Sequence, residues 1–367
     1  MKICFITPYP PKQGGLSTYS KRIVDYLSNQ PKIEVSVLPF NSFLDIQGLF
    51  TIPKQKFDVV RLEYNIPAYG FSSFPLFFIL MFLRLLTKTV FVVNFHEIKR
   101  ETDMLGGLGT LFFQIFSLPF HKIYVHTLQA KQILELKCHL NPKKIFTVPH
   151  GTSQFKDKTS NYEEIKSKYK LNNKKIVLYF GYIHPDKGIE YLLKAIKQLK
   201  VQDPATYSSL QIIIAGDIRT RMGLFKYFEK KDIAYKSYLI DLTEKLGIKK
   251  TVRFIGFIEQ KYIYSLLSSA HLIVFPYTKV EQSGVLNMVL PLSVPIIASN
   301  IGGLKETLSE TGVLVNTADF KGIATQISIL IKDKAYYKKI SASYKSLASK
   351  LQVSHVTRCF LNTLNPI

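Results

Sequence analysis

The sequence is poor in negative charge and in sulfur. Aspartate and glutamate number 26 against 49 lysines and arginines, a formal charge of +23 over 367 residues. Such an excess favours a polyanion or an anionic membrane face as partner. The basic residues are dispersed through helix-like segments, as at Lys226, Lys230, Lys231 and Lys236. No arginine-rich arm, zinc-ligand spacing or RNP-like motif accompanies them, which argues against nucleic acid. The cysteines are Cys4, Cys138 and Cys359, far apart and without C-x-x-C spacing. That pattern fits reduced, packing thiols of a cytosolic protein rather than a disulfide framework. Long hydrophobic runs are also lacking. The longest, Phe71–Leu86, is interrupted by Pro75 and Arg84 and is shorter than the roughly 20 residues that cross a bilayer. It reads either as a helix docked on an anionic membrane or as a helix covering a sheet. Pro8, Pro10 and Pro11 follow the first apolar residues too soon for a signal peptide. No repeat and no low-complexity tail is present.

What is present is a globular composition, 47% hydrophobic and 13% aromatic, long enough for two domains. Short apolar runs alternate with helical patterns in both halves. Strands are expected at Lys2–Thr7, Glu34–Leu38, Phe57–Leu62, Thr89–Asn94, Ile123–His126 and Ile145–Val148. A second series is expected at Lys175–Phe180, Gln211–Ala215, Val252–Ile255, Leu272–Phe275, Pro295–Ala298 and Gly312–Val315. Helices are expected at Leu16–Leu27 and Pro75–Leu86, and at about Ala318–Lys332, Lys334–Leu347 and Val353–Asn362. Alternating βα units in each half predict an α/β protein of two doubly wound, Rossmann-like domains. The polar stretch Thr152–Asn173 is the expected linker and entry helix, giving domains over 1–170 and 171–350 and a last helix over 351–367.

Three turns carry chemistry. Gly14-Gly15 follows the first strand and opens a helix, but is not G-x-G-x-x-G, and no acidic residue ends the second strand as dinucleotide binding requires. Gly181-Tyr182-Ile183-His184-Pro185-Asp186-Lys187-Gly188 follows the first strand of the second half. A lysine at such a turn, beside helix N–H groups, suits a phosphate; it is otherwise a surface lysine. The stretch Pro276–Glu306 contains Glu281-Gln282-Ser283-Gly284 before an apolar helix, Val285–Leu290, and Ile301-Gly302-Gly303 before another. Two helix starts at neighbouring strand ends form an expected anion site, with a nucleotide diphosphate as the inferred ligand; each is equally an ordinary tight turn. His96, at the carboxyl end of a strand, lies where open α/β sheets bind ligands, or is a hydrogen-bonded structural histidine.

The stretch Pro276–Glu306, with the Lys187-Gly188 turn and Val148-Pro149-His150-Gly151, resembles the GT4 family (glycosyl transferases group 1), retaining glycosyltransferases of GT-B fold. The resemblance implies two Rossmann-like domains facing a central cleft, the first binding the acceptor and the second the nucleotide sugar, with the last helix returning to the first domain. It implies donor binding by Gly14, Gly15, Gly181, Lys187, Gln282, Ser283, Gly284, Val285, Gly302 and Gly303. His96 and Glu281 would lie near the donor sugar, with Lys187 on the diphosphate. Two positions depart from the family pattern: Val289 stands where a second glutamate holds the ribose, and Tyr182 where an arginine assists the lysine. Gln282 or Ser283 would replace the first, and Arg219 or Arg221 the second. No D-x-D occurs, so no metal or other cofactor is expected on the diphosphate.

The expected activity is therefore transfer of a sugar from a nucleotide-diphosphate sugar to a glycan or lipid-linked acceptor. The context would be bacterial-type surface polysaccharide biosynthesis, in the cytoplasm or peripherally on the inner membrane face. A nucleotide-sugar epimerase of GT-B-like fold and a non-catalytic basic membrane-surface protein are the competing readings.

Overall fold

The computed structural model describes residues 1–12, 14–152, 155, 162–219 and 226–364. They form two compact units.

The first unit holds Met1–Gly151 together with the chain from Leu351 onward. Its strands are β1 (Lys2–Thr7), β2 (Glu34–Pro39), β3 (Val59–Tyr64), β4 (Val90–Phe95), β5 (Lys122–Val125) and β6 (Ile145–Thr147). They pair in the order β2-β1-β3-β4-β5-β6, all in parallel. Alternate side chains of a strand point to opposite faces, and both faces here are covered. Cys4 and Ile6 join Leu76, Leu80 and Leu83 of the Ser73–Leu86 helix in one core. Ile3 and Phe5 join Ile23 and Leu27 of the Gly15–Ser28 helix in the other, with Val356 and Phe360. Those last two lie on the final helix, Val353–Leu364, which buries its apolar stripe against this unit. Tyr124 and Thr363 hydrogen-bond through their hydroxyls at 2.7 Å. Cys4 and Cys138 are buried free thiols, and burial pushes the Cys4 thiol up to about 12, so it packs rather than reacts.

The second unit, Thr152–Lys350, has β7 (Lys175–Phe180), β8 (Leu210–Ala215), β9 (Val252–Gly256), β10 (Leu272–Phe275), β11 (Ile296–Ser299) and β12 (Val313–Val315). Their order is β12-β11-β10-β7-β8-β9, again parallel. The unit begins before the expected boundary at 171 because the Tyr162–Lys168 helix already belongs to it. Ile165 of that helix is fully buried, and Glu164 accepts a hydrogen bond from the Tyr262 hydroxyl.

Two differences from the sequence reading matter. β3 runs over Val59–Tyr64 rather than Phe57–Leu62, which carries Glu63 into the sheet. A helix over Gly107–Phe116 lies where the sequence reading names no element. Gly109 is there for close packing: a Cβ on it would sit 2.9 Å from the Glu101 carbonyl oxygen of the preceding helix.

The second sheet depends on a glycine contact of the same kind. Gly216 has φ +137°, and a Cβ on it would lie 1.9 Å from the Gly181 carbonyl oxygen. Gly15, by contrast, has nothing within 4 Å of that position. Gly216→Ala is expected to destabilise the protein by about 1–3 kcal/mol, and Gly15→Ala by no more than about 0.5 kcal/mol. Equal urea midpoints for the two variants would contradict this account.

Candidate functional site

In the first unit, polar side chains gather at the carboxyl ends of β3, β4 and β5. Arg61 and Glu63 both lie on β3, buried, and Arg61 Nε donates to Glu63 Oε1 at 2.6 Å. A charge buried in a sheet covered on both faces needs a partner, and each supplies the other's. Burial would raise the Glu63 carboxyl, but the Arg61 charge, with His96 and Asn94 donating to it, holds it at about 2. Its second oxygen accepts from Asn94 Nδ2 at 2.7 Å and from His96 Nε2 at 2.8 Å. His96 therefore carries a proton on Nε2. In His126, Nδ1 donates to the Val148 carbonyl at 2.8 Å, and Nε2 lies 3.2 Å from the Asn94 amide.

Tyr19, on the helix that Gly14-Gly15 opens, closes the cluster. Its hydroxyl lies 3.3 Å from both Arg61 and Asn94 nitrogens. Its ring centroid is 4.9 Å from that of His96 and 4.6 Å from that of His150. Gly14 has φ +149°, so the turn needs a glycine, and both glycines face open space. Asn94 Oδ1 and His150 Nδ1 are buried and make no hydrogen bond among the described residues. Of this cluster the sequence reading singled out His96, Gly14 and Gly15. Glu63, Asn94, Tyr19 and the roles of His126 and His150 were missed. The available signal was Arg-Leu-Glu inside an otherwise apolar strand.

In the second unit, the Gly181–Gly188 turn rides on the end of β8. Gly181 N–H donates to Ala215 O at 3.0 Å, and Ile183 N–H to Asp217 O at 3.0 Å. Pro185–Lys187 forms one 3-10 turn that Gly188 ends in the left-handed region. A Cβ on Gly188 would lie 2.2 Å from the Pro276 carbonyl oxygen. Asp186 O accepts from Thr278 N and Lys279 N at 2.9 and 3.2 Å, which ties this turn to the loop after β10. The ammonium of Lys187 consequently stands 3.8 Å above the Tyr277 ring, a cation–π contact that fixes its direction. Buried Tyr277 is hydrogen-bonded to Ser283. Ser283 caps the helix Gly284–Val289, its Oγ accepting from Leu286 N at 3.2 Å. A Cβ added to Gly284 would meet nothing within 4 Å, while Val285 lies against Gly181. Gly181, Lys187, Ser283, Gly284 and Val285 are thus gathered at one end of the sheet.

Other expected residues fare differently. Gly303 N–H donates to the Glu281 carbonyl at 2.9 Å, so it is committed to the protein rather than to an anion. Gly302, φ +47°, is a close-approach glycine whose Cβ would lie 2.0 Å from Val280 O. The turn they form anchors the loop that carries half-buried Glu281 and Gln282. The helices Gly284–Val289 and Gly302–Leu308 are short, 6 and 7 residues, and offer less dipole than the expected pair of helix starts. Val289 is wholly buried, so the position of the second glutamate packs in the core. Exposed Arg219 brings its guanidinium 5.9 Å from the Tyr182 ring, beside the position where the family arginine is absent. Arg221 lies outside the described residues. No group of His, Cys, Asp or Glu among the described residues has the arrangement of a metal site.

The histidine cluster makes a pH prediction. Burial, then the His96 charge, pushes His126 down to about 3, while an unfolded histidine titrates near about 6.5. Below about 6.5 the unfolded chain binds a proton that the folded one refuses, so stability falls as pH drops from there toward about 3. Unfolding free energies measured between about pH 6.5 and 5 are expected to slope less in His126→Asn, by up to about 1.4 kcal/mol per pH unit. An unchanged slope would remove His126 from this role.

HepE of Anabaena, whose structure is in complex with UDP, superposes with a TM-score of 0.74 over 100% of both chains at 18% identity, and the fold is GT-B. An alpha-D-kanosaminyltransferase of Streptomyces kanamyceticus is 24% identical over 62% of this chain, which spans 55% of that relative's length. An uncharacterized glycosyltransferase of Methanocaldococcus jannaschii is 23% identical over 91% of this chain and 90% of its own. The sequence profile of the glycosyl transferases group 1 matches residues 161–346, the segment that holds Lys187, Tyr277 and the Ser283-capped helix, and the chain belongs to that family.

Proposed function

We propose that the protein transfers a sugar, with retention of anomeric configuration, from a nucleotide-diphosphate sugar to a glycan or lipid-linked acceptor. The observation that carries the donor assignment is Lys187 held over Tyr277, beside the Ser283-capped start of Gly284–Val289. A nucleotide diphosphate leaves only if its developing charge is stabilised. A fixed ammonium and backbone N–H groups at a turn open to its surroundings are suited to this, and they need no reorganisation as the bond breaks. Arg219, stacked at Tyr182, supplies the second cation that the family places at the Tyr182 position. Glu281 and Gln282 address sugar or ribose hydroxyls. In the first unit, His96 Nδ1, Asn94 Oδ1 and His150 Nδ1 are hydrogen-bonding groups suited to a polyhydroxylated ligand. HepE's complexes with UDP and UDP-glucose support a donor of that class. Retention rests on the family. The charge of +23 favours work at an anionic membrane face, where lipid-linked precursors of surface polysaccharide are found, with the protein cytoplasmic or peripheral there.

A thermal-shift screen of UDP, GDP and ADP sugars is expected to find one stabilising donor class, and product analysis with and without acceptor separates transfer from epimerisation. Lys187→Ala is expected to lower kcat by on the order of 10²–10³-fold in a folded protein. Wild-type turnover in that variant would sink the assignment. Transfer is further expected to persist in excess EDTA, since the chain has no D-x-D for a bridging metal. Turnover lost to EDTA and restored by magnesium or manganese would show that the cations named here are insufficient.

A further inference from the structure

The Ser73–Leu86 helix has two apolar faces. Leu76, Leu80 and Leu83 are buried in the sheet core, as a covering helix requires. Phe74, Phe78 and Phe82 face outward, 65%, 67% and 52% exposed, with Phe71 and Leu85 extending the stripe. The neighbouring Gly107–Phe116 helix repeats the pattern. Phe113 and Phe116 are buried, while Leu108, Leu111 and Ile115 are exposed, and Leu118 continues the row. The two helices touch: the Phe77 and Phe116 rings are 6.2 Å apart, and the Arg84 guanidinium donates to the Leu118 carbonyl. Their outer stripes thus lie on two helices in contact, and soluble monomers seldom expose contiguous apolar surface beyond a few hundred Å².

We propose that these two helices form a platform that inserts into the interfacial layer of an anionic lipid bilayer. The occupant follows from charge. Residues 64–96, which contain the first helix, include no aspartate or glutamate but do include Arg84 and Lys88. Beyond Leu86 the first helix meets a groove of about 940 Å³ lined in part by Lys56 and Lys88. The carboxylate in that lining, Asp58, accepts from the Lys2 backbone N–H. Apolar side chains flanked by Arg84, Lys88 and Lys56 match the acyl and headgroup layers of an anionic leaflet.

The platform lies on the bilayer rather than crossing it. The helical run Ile66–Leu86, 21 residues at mean hydropathy 1.8, is long and apolar enough to span. It is broken at Gly70, φ +52°, and one side of it is sheet core. The sequence reading saw Phe71–Leu86 as either membrane-docked or covering the sheet; the helix does the second with one face and is free for the first with the other.

This inference gives the proposed function its membrane partner and rests on that reading only for the acceptor. Vesicle binding is measured without donor or turnover, so a protein that transfers sugar to a soluble acceptor yet ignores vesicles would lose the platform alone. The full chain is floated with phosphatidylcholine vesicles, with and without about a third phosphatidylglycerol, at about 0.1 M and about 1 M salt. Binding to the anionic vesicles at low salt is expected. Phe78→Gln with Phe82→Gln, and separately Leu111→Gln with Ile115→Gln, should each lower partitioning by about tenfold or more. The chain contains no tryptophan, so Phe78→Trp introduces a single reporter in an apolar-for-apolar exchange. Its emission should shift to the blue on binding and be quenched by brominated acyl chains. Failure of the wild type to float, glutamine variants that float unchanged, or an unquenched reporter would each overturn the proposal. So would a dimer in sedimentation that the same glutamine pairs dissociate, since the patch would then join two copies of the chain.

Discussion

Each sheet in this protein is parallel and covered on both faces, and that constraint decides where polar chemistry can sit. Inside such a sheet a polar side chain must be paired at once or go without water. Arg61 and Glu63 satisfy this on β3 by pairing with each other. Having accepted Arg61 on one oxygen, Glu63 presents its other oxygen to Asn94 and His96. A buried ion pair is weak evidence of stability; here its visible consequence is orientation. It places a proton on His96 Nε2 and, through Asn94, contacts His126.

The second sheet solves a similar problem with backbone. Where Gly216 meets Gly181, Gly188 meets Pro276 and Gly302 meets Val280, chain segments approach more closely than any Cβ allows. These contacts lock together the four loops that follow β7, β8, β10 and β11 at the carboxyl end of the sheet. Lys187 is directed by them more than by its own conformers, because the turn carrying it is tied to the loop that carries Tyr277. The glycines that look like phosphate-binding punctuation are thus partly structural. Gly303 shows it most plainly, with its N–H spent on Glu281.

The two departures from the family pattern have physical counterparts. Val289 is wholly buried, so the position where the family pattern has its second glutamate belongs to the core. Tyr182 keeps half its surface exposed and receives Arg219 on its ring. Arg219 thus stands beside the position where the family arginine is absent, while Arg221 lies outside the described residues.

By itself the sequence determined the alternation of strands and helices, because buried parallel strands read as short apolar runs and covering helices as 3.6-residue stripes. It also pointed to the Lys187 and Ser283 turns, whose chemistry is local: a glycine, a cation, a cap. It named no element at the Gly107–Phe116 helix, where Gly109 serves close packing against the preceding helix. Only the tertiary structure brought Tyr19, Glu63, Asn94, His96, His126 and His150 together, since strand order, not sequence separation, decides which side chains meet at a sheet's edge. The same holds for the outward Phe74–Phe78–Phe82 stripe. Composition counts apolar residues but does not say which way they face, and facing is settled by what the other side of the helix has to cover.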